Sequence, residues 1–376
     1  MKIVYCTPSL YIPGGVERVL TTKANYLADV VGYDVYIILT DGKEKPLHYE
    51  LSSKIHLINL EVNFEELWGM SFLQKGIAYL KKQRIFKKRL SEALYKIKPD
   101  ITISLLRREI NFLCDIKDGS KKLGEIHVNR KNYRNFEAKD TNIIKELFSK
   151  YWMQSLVKQL KRLDRFVVLT EEDKRNWVEL PNVTVIPNPL QNTEETPISM
   201  VENKKVIAVG RYVYQKGFDL LVDAWERVVE KHPDWNLYVY GRGEKNKYRQ
   251  VQNCFFEDVV ANINEKYAES SIFVLSSRFE GFGMVIVEAM RCGVPAVSFA
   301  CPCGPSDIIT HKKDGFLVEN GNVEQLAERI CYLIEHPDER KEMGRNAIEK
   351  AKNYSLDEIG KRWINLFNEV TSPLAQ

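Results

Sequence analysis

Two glutamates, Glu280 and Glu288, stand eight positions apart around the glycines Gly281 and Gly283 in SSRFEGFGMVIVEAMRCGVP, residues 276–295. An apolar strand pattern precedes this stretch and a helical pattern follows it. The glycines therefore occupy a strand-to-helix turn, in which the backbone can approach a ligand closely. Such a turn favours an anion, which raises the question of why a carboxylate stands on each side of it.

The start of the helix that follows this turn is expected to bind phosphate. Backbone N–H groups at a helix N-terminus, with the helix dipole behind them, attract anions. Met284 and Val285 should present these amides, with Phe282 in the turn before them. A second strand pattern, VIAVG, runs into Arg211 and then Lys216, which would add two positive charges to the same anion. These features predict a diphosphate pocket.

The two carboxylates fit hydroxyl groups on either side of that diphosphate. A carboxylate on the phosphate itself would repel it, whereas it readily accepts hydrogen bonds from hydroxyls. Glu280, in the turn, could bind sugar hydroxyls, and Glu288, about one turn into the helix, could hold a ribose diol. The predicted ligand is a nucleotide sugar. The alternative is that both residues are solvated acids near a helix start.

The strand and helix patterns place these residues in the second of two similar halves. Apolar strands alternate with helices in both halves, which indicates parallel sheets covered on both faces. The alternation breaks at 185–205, which reads as a linker rich in Pro, Asn and acidic residues. We predict an α/β fold with two Rossmann-like, doubly wound domains, at 1–190 and 191–355, facing a central cleft. The amphipathic helix at 356–376 is expected to pack back on the first domain.

The chain resembles retaining GT-B glycosyltransferases, most closely glycosyltransferase family 4 (group 1). Glu280 and Glu288 match the E-x7-E motif of that family, and the segments VIPNPL, CGPSDII and DGFLVENG resemble family segments. The similarity covers nearly the whole chain and is strongest over about 165–370. Asp307 departs from the pattern, because the family often has Glu there.

The resemblance implies that the domain at 1–190 binds the acceptor and that the domain at 191–355 binds the nucleotide sugar, with roles for residues in both halves. His127, in GEIHVNR, would lie near the transferred sugar, and Gly15, after the first strand, would face the donor phosphates across the cleft. The implied catalytic residues are His127, Arg211, Lys216 and Glu280. The implied donor-binding residues are Gly15, Arg211, Lys216, Glu280, Gly281, Phe282, Gly283, Met284, Val285 and Glu288.

The expected activity is transfer of a hexose, with retention of the anomeric configuration, to a glycan or lipid-linked glycan in capsule, lipopolysaccharide or other surface polysaccharide synthesis. A UDP-sugar is the expected donor by family frequency, as a substrate and not a cofactor. The sequence has no Asp-x-Asp, so we expect no metal. A nucleotide-sugar epimerase of GT-B fold and a non-catalytic nucleotide-sugar-binding protein stay open as alternatives. A dehydrogenase is disfavoured, because no G-x-G-x-x-G follows the first strand.

Composition bounds the class of protein. With 376 residues, 44% apolar and 28% charged, the chain fits an ordinary globular protein of two domains. No run of eighteen apolar residues indicates a spanning helix, and the N-terminus does not read as a signal peptide. Seven cysteines without framework spacing suggest free thiols and a cytoplasmic protein. The pair Cys301 and Cys303 lacks the further ligands of a metal site.

Charge is distributed unevenly along the chain. Residues 1–190 carry a net charge of +9 and the remainder −5. The basic run at 81–99 could be the solvated face of a helix, or it could hold the protein peripherally on an anionic membrane. In the second reading, Phe86 and Leu90 dip into the interface, and the basic contacts are Lys81, Lys82, Arg84, Lys87, Lys88 and Arg89. No nucleic-acid module accompanies the charge. The oligomeric state is not predicted.

Overall fold

A computed structural model describes residues 1–133, 143–191 and 196–372 of the protein. Within the predicted linker, 192–195 lie outside the described residues, as do 373–376 of the predicted last helix. The chain divides into two compact units. Unit 1 comprises Met1–Leu169, Lys174–Pro189 and Ile359–Gln376, and unit 2 comprises Thr170–Asp173 and Leu190–Glu358. Whether 1–190 and 191–355 fold as independent domains stays a prediction.

The strands and helices alternate along both units. The strands are β1 Lys2–Thr7, β2 Asp34–Leu39, β3 His56–Asn59, β4 Ile101–Ser104, β5 Lys121–Glu125, β6 Arg165–Val168, β7 Val183–Val185, β8 Lys205–Val209, β9 Asn236–Tyr240, β10 Cys254–Glu257, β11 Ile272–Leu275, β12 Ala296–Phe299 and β13 Gly315–Val318. The α-helices are α1 Gly15–Asp29, α2 Phe72–Ile97, α3 Ile143–Leu160, α4 Glu171–Asn176, α5 Phe218–Lys231, α6 Ile263–Ala268, α7 Met284–Arg291, α8 Pro305–Ile308, α9 Val323–Glu335, α10 Pro337–Ala351 and α11 Leu356–Thr371. Short 3-10 turns include Phe64–Gly69, Arg108–Asn111 and Tyr214–Lys216.

Unit 1 is built on a seven-stranded sheet in the order β3-β2-β1-β4-β5-β6-β7. Every neighbouring pair is parallel, as the alternation of strands and helices predicts. The inner strands β1 and β4 are almost wholly buried, because helices cover a parallel sheet on both faces. The chain winds outward from β1 in one direction and from β4 in the other, so the strand order reverses between them.

Unit 2 repeats this arrangement with six parallel strands in the order β10-β9-β8-β11-β12-β13. Here the reversal lies between β8 and β11. Helix α5 buries its apolar face, including Leu221 and Trp225, against the core of this sheet. The predicted fold of two Rossmann-like parallel sheets is therefore confirmed.

Helix α2 corrects one prediction made for the basic run. Phe86 and Leu90 are 2% and 0% exposed and belong to the core of unit 1, so they cannot dip into a membrane interface. Their spacing on one helical face is that of an ordinary core-facing stripe. Ile77 and Leu80, nearer the start of α2, are instead among its exposed apolar side chains.

The six basic residues of α2 that were predicted to contact a membrane fall into two groups in the structure. Lys82 pairs with Glu66 and Lys87 with Asp115, while Arg89 donates to the carbonyls of Leu60 and Glu61. These three residues hold loops of unit 1. Lys81, Arg84 and Lys88 are exposed, and Lys88 lies 3.9 Å from the carboxylate of Glu92. Among the described residues, no helix is both long and apolar enough to span a membrane.

Candidate active site

The predicted site residues of unit 2 follow β8 and β11, the two strands between which the sheet order reverses. The carboxyl ends of parallel strands at such a reversal form the crevice in which open α/β sheets bind ligands. The loop after β8 leads to the 3-10 turn Tyr214–Lys216, and the loop after β11 leads to α7. Both predicted segments therefore lie at the same edge of the sheet, at the carboxyl ends of neighbouring strands.

Lys216 and Glu280 are in direct contact. The Nζ of Lys216 donates to Oε1 of Glu280 at 2.7 Å, and the hydroxyl of Ser277 donates to the same oxygen at 2.6 Å. Both charged side chains are largely buried. The sequence predicted the cation on phosphate and the carboxylate on sugar hydroxyls; the structure joins them as one charge-compensated pair. A donor diphosphate that bound Lys216 would therefore bind a lysine that is already paired with Glu280.

The backbone around this pair requires glycine. Gly217 has φ +61°, and a Cβ there would lie 2.0 Å from the carbonyl oxygen of Ser276. Only glycine permits so close an approach in the left-handed region. The turn that carries Lys216 can therefore pack directly against the loop that carries Glu280.

The start of α7 is where the sequence predicts anion binding. Gly283 precedes the helix with φ +99°, and neither a side-chain cap nor an acid in the first turn covers its N-terminus. The first amides of α7, from Met284 and Val285, therefore have no such cap competing with an anion. Glu288 lies farther along α7 and is buried. The role of each residue stays a prediction.

Arg211 stands apart from the Lys216–Glu280 pair. Its side chain is exposed and forms no hydrogen bond or ion pair with the described part of the chain. The neighbouring Tyr212 is buried and directs its hydroxyl to the carbonyl of Val239 at 2.8 Å. The backbone at this position is thus fixed while the guanidinium stays available to a ligand.

The sequence reasoning missed Arg278, which fastens the two loops together. Its guanidinium donates to both carboxylate oxygens of Asp219, at 2.9 and 2.5 Å, and to the carbonyl of Tyr214 at 2.8 Å. It also lies over the Tyr214 ring, 4.0 Å from the centroid. The hydrogen bonds from Arg278 lower the pKa of Asp219. We infer that Arg278 positions the turn that carries Lys216; no local sequence signal marks it, since its partners lie about sixty residues away.

In unit 1, His127 follows β5 beside a buried ion pair. Lys23, on α1, donates to both oxygens of Glu125 at 2.5 and 2.6 Å, and both side chains are almost fully buried. The Nε2 of His127 lies 3.2 Å from Oε1 of Glu125, outside hydrogen-bond alignment. Its Nδ1 has no hydrogen-bond partner among the described residues. The imidazole is therefore packed against a carboxylate, with one nitrogen available.

The charges around Glu125 keep it ionised. Burial alone would raise the pKa of Glu125, but the charge and hydrogen bonds of Lys23, together with the neighbouring His127, lower it to about 2. Lys23 also lies over the Trp363 ring of α11, 4.1 Å from the centroid. Burial raises the pKa of Tyr5, whose ring also faces Lys23. The sequence contained no spacing that could reveal this cluster, because Lys23 and Glu125 are 102 positions apart.

Gly15 is the first residue of α1, after β1. A Cβ at this position would meet no atom within 4 Å, and its φ is not positive. Within the described structure, neither crowding nor backbone strain requires glycine there. This openness is compatible with the expected approach of a ligand, although that contact stays a prediction.

Two further features of the sequence, the Cys301 and Cys303 pair and Asp307, contact other parts of the protein in this structure. Cys301 and Cys303 are buried free thiols, as are the other five cysteines. No group of three or more His, Cys, Asp or Glu side chains within the described ranges could hold a metal ion. Asp307 accepts a hydrogen bond from the backbone N–H of Glu171 at 3.0 Å. Its carboxylate thus binds the first turn of α4.

Comparison with protein families identifies one match. Residues 192–350 match the family described as glycosyl transferases group 1. An uncharacterized glycosyltransferase of Haemophilus influenzae is 28% identical over 96% of this chain and 98% of its own length. The poly(ribitol-phosphate) alpha-N-acetylglucosaminyltransferase of Staphylococcus aureus is 30% identical over 66% of this chain. The chain covers only 51% of that relative, and 25% of a similar exopolysaccharide phosphotransferase of Streptomyces coelicolor.

Solved structures share the fold over almost the entire chain. TarM aligns over 98% of both chains with a TM-score of 0.74 and 18% identity. HepE of Anabaena, solved with UDP, aligns over 98% of this chain and 100% of its own with a TM-score of 0.74 and 17% identity. Residues 192–350 are thus similar to group 1 glycosyl transferases, and the solved structures share the fold of the chain.

Proposed function

We propose that the protein is a retaining glycosyltransferase of family 4. It transfers a hexose from a nucleotide diphosphate sugar, with UDP as the first choice of nucleotide, to a glycan or lipid-linked glycan acceptor in surface polysaccharide synthesis. Unit 2 binds the donor, and Gly15 and His127 of unit 1 contribute to the same reaction. The transfer requires no metal ion.

One observation carries this proposal: the buried Lys216–Glu280 pair stands at the strand-order reversal of unit 2, in loops that also lead to the uncapped start of α7. This combination offers a cation and free amides to a diphosphate, and carboxylate oxygens to hydroxyls. Glu288, buried farther along α7, supplies a second carboxylate for the ribose. A simple phosphate site would have no use for two buried carboxylates.

The chemistry follows from where charge develops. The bond between the anomeric carbon and the diphosphate oxygen breaks, and a bond from the acceptor oxygen forms on the same face of the sugar. The departing phosphate oxygen takes the proton of the acceptor hydroxyl, so no separate strong base is needed. Lys216, Arg211 and the amides of Met284 and Val285 stabilise the charge that accumulates on the diphosphate. His127 positions the sugar.

Relatives support the choice of substrates. HepE was solved with UDP and with UDP-glucose. Similar proteins include the amylovoran biosynthesis glycosyltransferase AmsD of Erwinia amylovora and the lipopolysaccharide outer core galactosyltransferase WaaB. On this basis we propose a UDP-hexose donor and an acceptor destined for the cell surface.

A second part of the proposal concerns location: the protein works in the cytoplasm and touches the inner face of the membrane. The exposed stripe of α2 supports this part. It consists of Ile77, Leu80, Lys81, Arg84 and Lys88, which share one helical face by their spacing. Ile77 and Leu80 are 74% and 61% exposed, and the cations beside them would attract anionic lipids.

A thermal-shift screen of UDP-, GDP- and ADP-sugars tests the donor assignment. A bound donor raises the apparent stability by an amount that increases with the logarithm of its affinity, and we expect a UDP-sugar to give the largest shift. Glu288→Gln should reduce that shift, since a hydrogen bond to a charged group contributes about 1.5–3 kcal/mol. Glu349→Gln, at an exposed position on α10, is the matched control. No shift with any donor, or an undiminished shift in Glu288→Gln, would contradict the assignment.

A further inference from the structure

A second cavity lies in unit 1, at the point where its own strand order reverses. It has a volume of about 470 Å³. Its lining residues are Pro8, Phe64, Leu67, Trp68, Lys75, Tyr79, Arg107 and Arg108. Pro8 follows β1 and the two arginines follow β4, and these strands are neighbours on either side of the reversal. Ligands bind at such a position in open parallel sheets, so the topology marks this cavity as a second substrate site.

The cavity is positively charged. Lys75 and Arg107 form no ion pair or side-chain hydrogen bond within the described residues, although Arg107 acts electrostatically on Glu109. Arg108 lies over the Phe64 ring, 4.2 Å from the centroid. The nearest acids of the Phe64–Gly69 turn are engaged elsewhere, because Glu65 pairs with Lys45 and Glu66 with Lys82. Three cations therefore face the cavity, and an anion is the complementary ligand.

The turn that presents the two arginines is fixed by buried contacts. Leu106 has φ +49°, in the left-handed region that non-glycine residues rarely adopt. The hydroxyl of Ser104 accepts from the N–H of Leu106 at 3.0 Å and donates to the Glu109 carboxylate at 2.7 Å. The same carboxylate oxygen accepts from the N–H of Arg107 at 3.0 Å. The strained turn is thus held in one geometry, as binding loops often are.

The rim of the cavity also offers an aromatic surface. Trp68 is 69% exposed, an unusual degree for so large an apolar side chain, whereas Phe64 and Leu67, which also line the cavity, are buried. An exposed indole can pack against the apolar face of a sugar ring or a polyol chain. The ligand that fits is therefore an anion joined to a sugar, polyol or other group with an apolar face.

We propose that this cavity binds the acceptor substrate through a phosphate group. The inference rests on the proposed function, because a transferase whose donor occupies unit 2 needs a second substrate site. Phosphate is favoured over carboxylate because it offers more oxygens to two guanidinium groups and a lysine, and carries up to two charges. The phosphate could belong to a phosphodiester polymer or to a lipid diphosphate, which share this chemistry.

Binding measurements with soluble probes test the inference. The probes are a glycerol phosphate trimer and farnesyl diphosphate, with maltotriose as the neutral control and trigalacturonate as the carboxylate control. Binding is followed by tryptophan fluorescence, and Trp68→Phe identifies the signal from the cavity. We expect at least one phosphate probe to bind, with an affinity that falls at least tenfold in Arg107→Gln/Arg108→Gln. Lys54→Gln, at an exposed lysine outside the cavity, should leave it within twofold.

The relative affinity of the two phosphate probes identifies the source of the phosphate. Failure of both probes to bind the wild type would overturn the inference, as would equal affinity in the double variant. Trigalacturonate binding as tightly as the phosphate probes would overturn the choice of phosphate. UDP affinity, measured by calorimetry on the same double variant, should be unchanged. An equal loss of UDP affinity would show that the arginines serve the donor, which also overturns the inference.

This design separates the inference from the proposed function. If the donor assignment alone is wrong, UDP-sugars fail to bind while the phosphate probes still require Arg107 and Arg108. If only the acceptor inference is wrong, UDP binds normally and the probes ignore the double substitution. The first result would contradict the donor site proposed in unit 2, and the second would contradict the acceptor site proposed in unit 1.

Discussion

At the scale of single residues, the site is organised by opposite charges held out of water. Lys216 meets the carboxylate of Glu280, and Lys23 meets that of Glu125, in largely buried pairs. Removing one member of a buried pair is costly because its partner is left as an uncompensated charge. Both pairs are therefore informative targets for mutation. Lys216–Glu280 is proposed to act on the substrate, and Lys23–Glu125 lies beside His127.

Replacing Lys216 should impair chemistry more than donor binding. The charge on the diphosphate grows as the glycosyl bond breaks, so a cation there acts mainly on the transition state. We expect Lys216→Ala to lower kcat about a hundredfold or more while donor Kd changes less, and Arg211→Ala to act in the same direction. Steady-state kinetics with calorimetry measures both quantities. Lys245→Ala, in an exposed ion pair with Asp258, is the control; a Lys216→Ala enzyme with wild-type kcat would refute this role.

The Lys23–Glu125 pair should show strong coupling in unfolding experiments. Lys23→Met and Glu125→Met should each lower the free energy of unfolding by about 3–5 kcal/mol, whereas the double variant should lose less than the sum. If Glu125 also positions His127, the double variant should recover stability without recovering turnover. Additive losses in stability would contradict the coupling.

The same pair predicts the direction of a pH effect. The folded-state pKa of Glu125, about 2, lies below its ordinary value, so its stabilising contribution is complete above about pH 4.5. It should be lost as the pH falls from 4.5 towards 2, by an amount on the order of 3 kcal/mol. Urea denaturation at pH 7, 5 and 3 would measure this, and the component should be missing from Lys23→Met/Glu125→Met. An equal acid-induced loss in that variant would assign the effect to other carboxylates.

At the scale of elements, the functional predictions concern the starts of α1 and α7 and the exposed face of α2. Helices α1 and α7 both begin after glycine, but the two sequence-predicted glycines have different structural constraints. Gly283 needs its left-handed φ, whereas a Cβ at Gly15 would meet no atom of the described residues within 4 Å. Helix α2 covers the core with Phe86 and Leu90 and turns Ile77 and Leu80 to solvent.

Alanine at the two glycines should separate stability from function. Gly283→Ala should lower the free energy of unfolding by about 1–2 kcal/mol, because an alanine in the left-handed region is strained. Gly15→Ala should leave stability unchanged or slightly raised, since alanine favours helix, yet lower turnover if a ligand approaches there. Denaturant titration and kinetics on both variants measure this. Wild-type turnover in Gly15→Ala would remove Gly15 from the site.

Flotation with liposomes tests the exposed stripe of α2. The protein should float with anionic liposomes and not with neutral ones, because each cation near an anionic surface contributes about 1 kcal/mol. High salt, or Lys81→Glu/Lys88→Glu, should abolish flotation. Lys245→Glu, outside α2, is the control. Recovery of the wild type in the soluble fraction with both lipids would exclude this membrane contact and leave the transferase assignment unaffected.

At the scale of the whole molecule, the sequence predicted what local patterns encode. Strand and helix periodicity indicated two parallel sheets, and the turn around Gly281 and Gly283 indicated a helix start suited to an anion. Contacts between distant residues could not be predicted: Lys216 meets Glu280 across 64 positions and Lys23 meets Glu125 across 102. The burial of Phe86 and Leu90 could not be predicted for the same reason, since only tertiary packing decides which face of α2 is buried.

The central claim is that the protein transfers a sugar from a nucleotide donor, and proton NMR of the reaction tests it most directly. A UDP-hexose chosen by the donor screen is incubated in EDTA with the glycerol phosphate trimer or a farnesyl diphosphate-linked sugar. The proposal predicts acceptor-dependent release of UDP and a new glycosidic linkage with the anomeric configuration of the donor. Conversion of the UDP-hexose into its epimer without UDP release, an inverted linkage, or activity only after Mg²⁺ or Mn²⁺ is restored would contradict it.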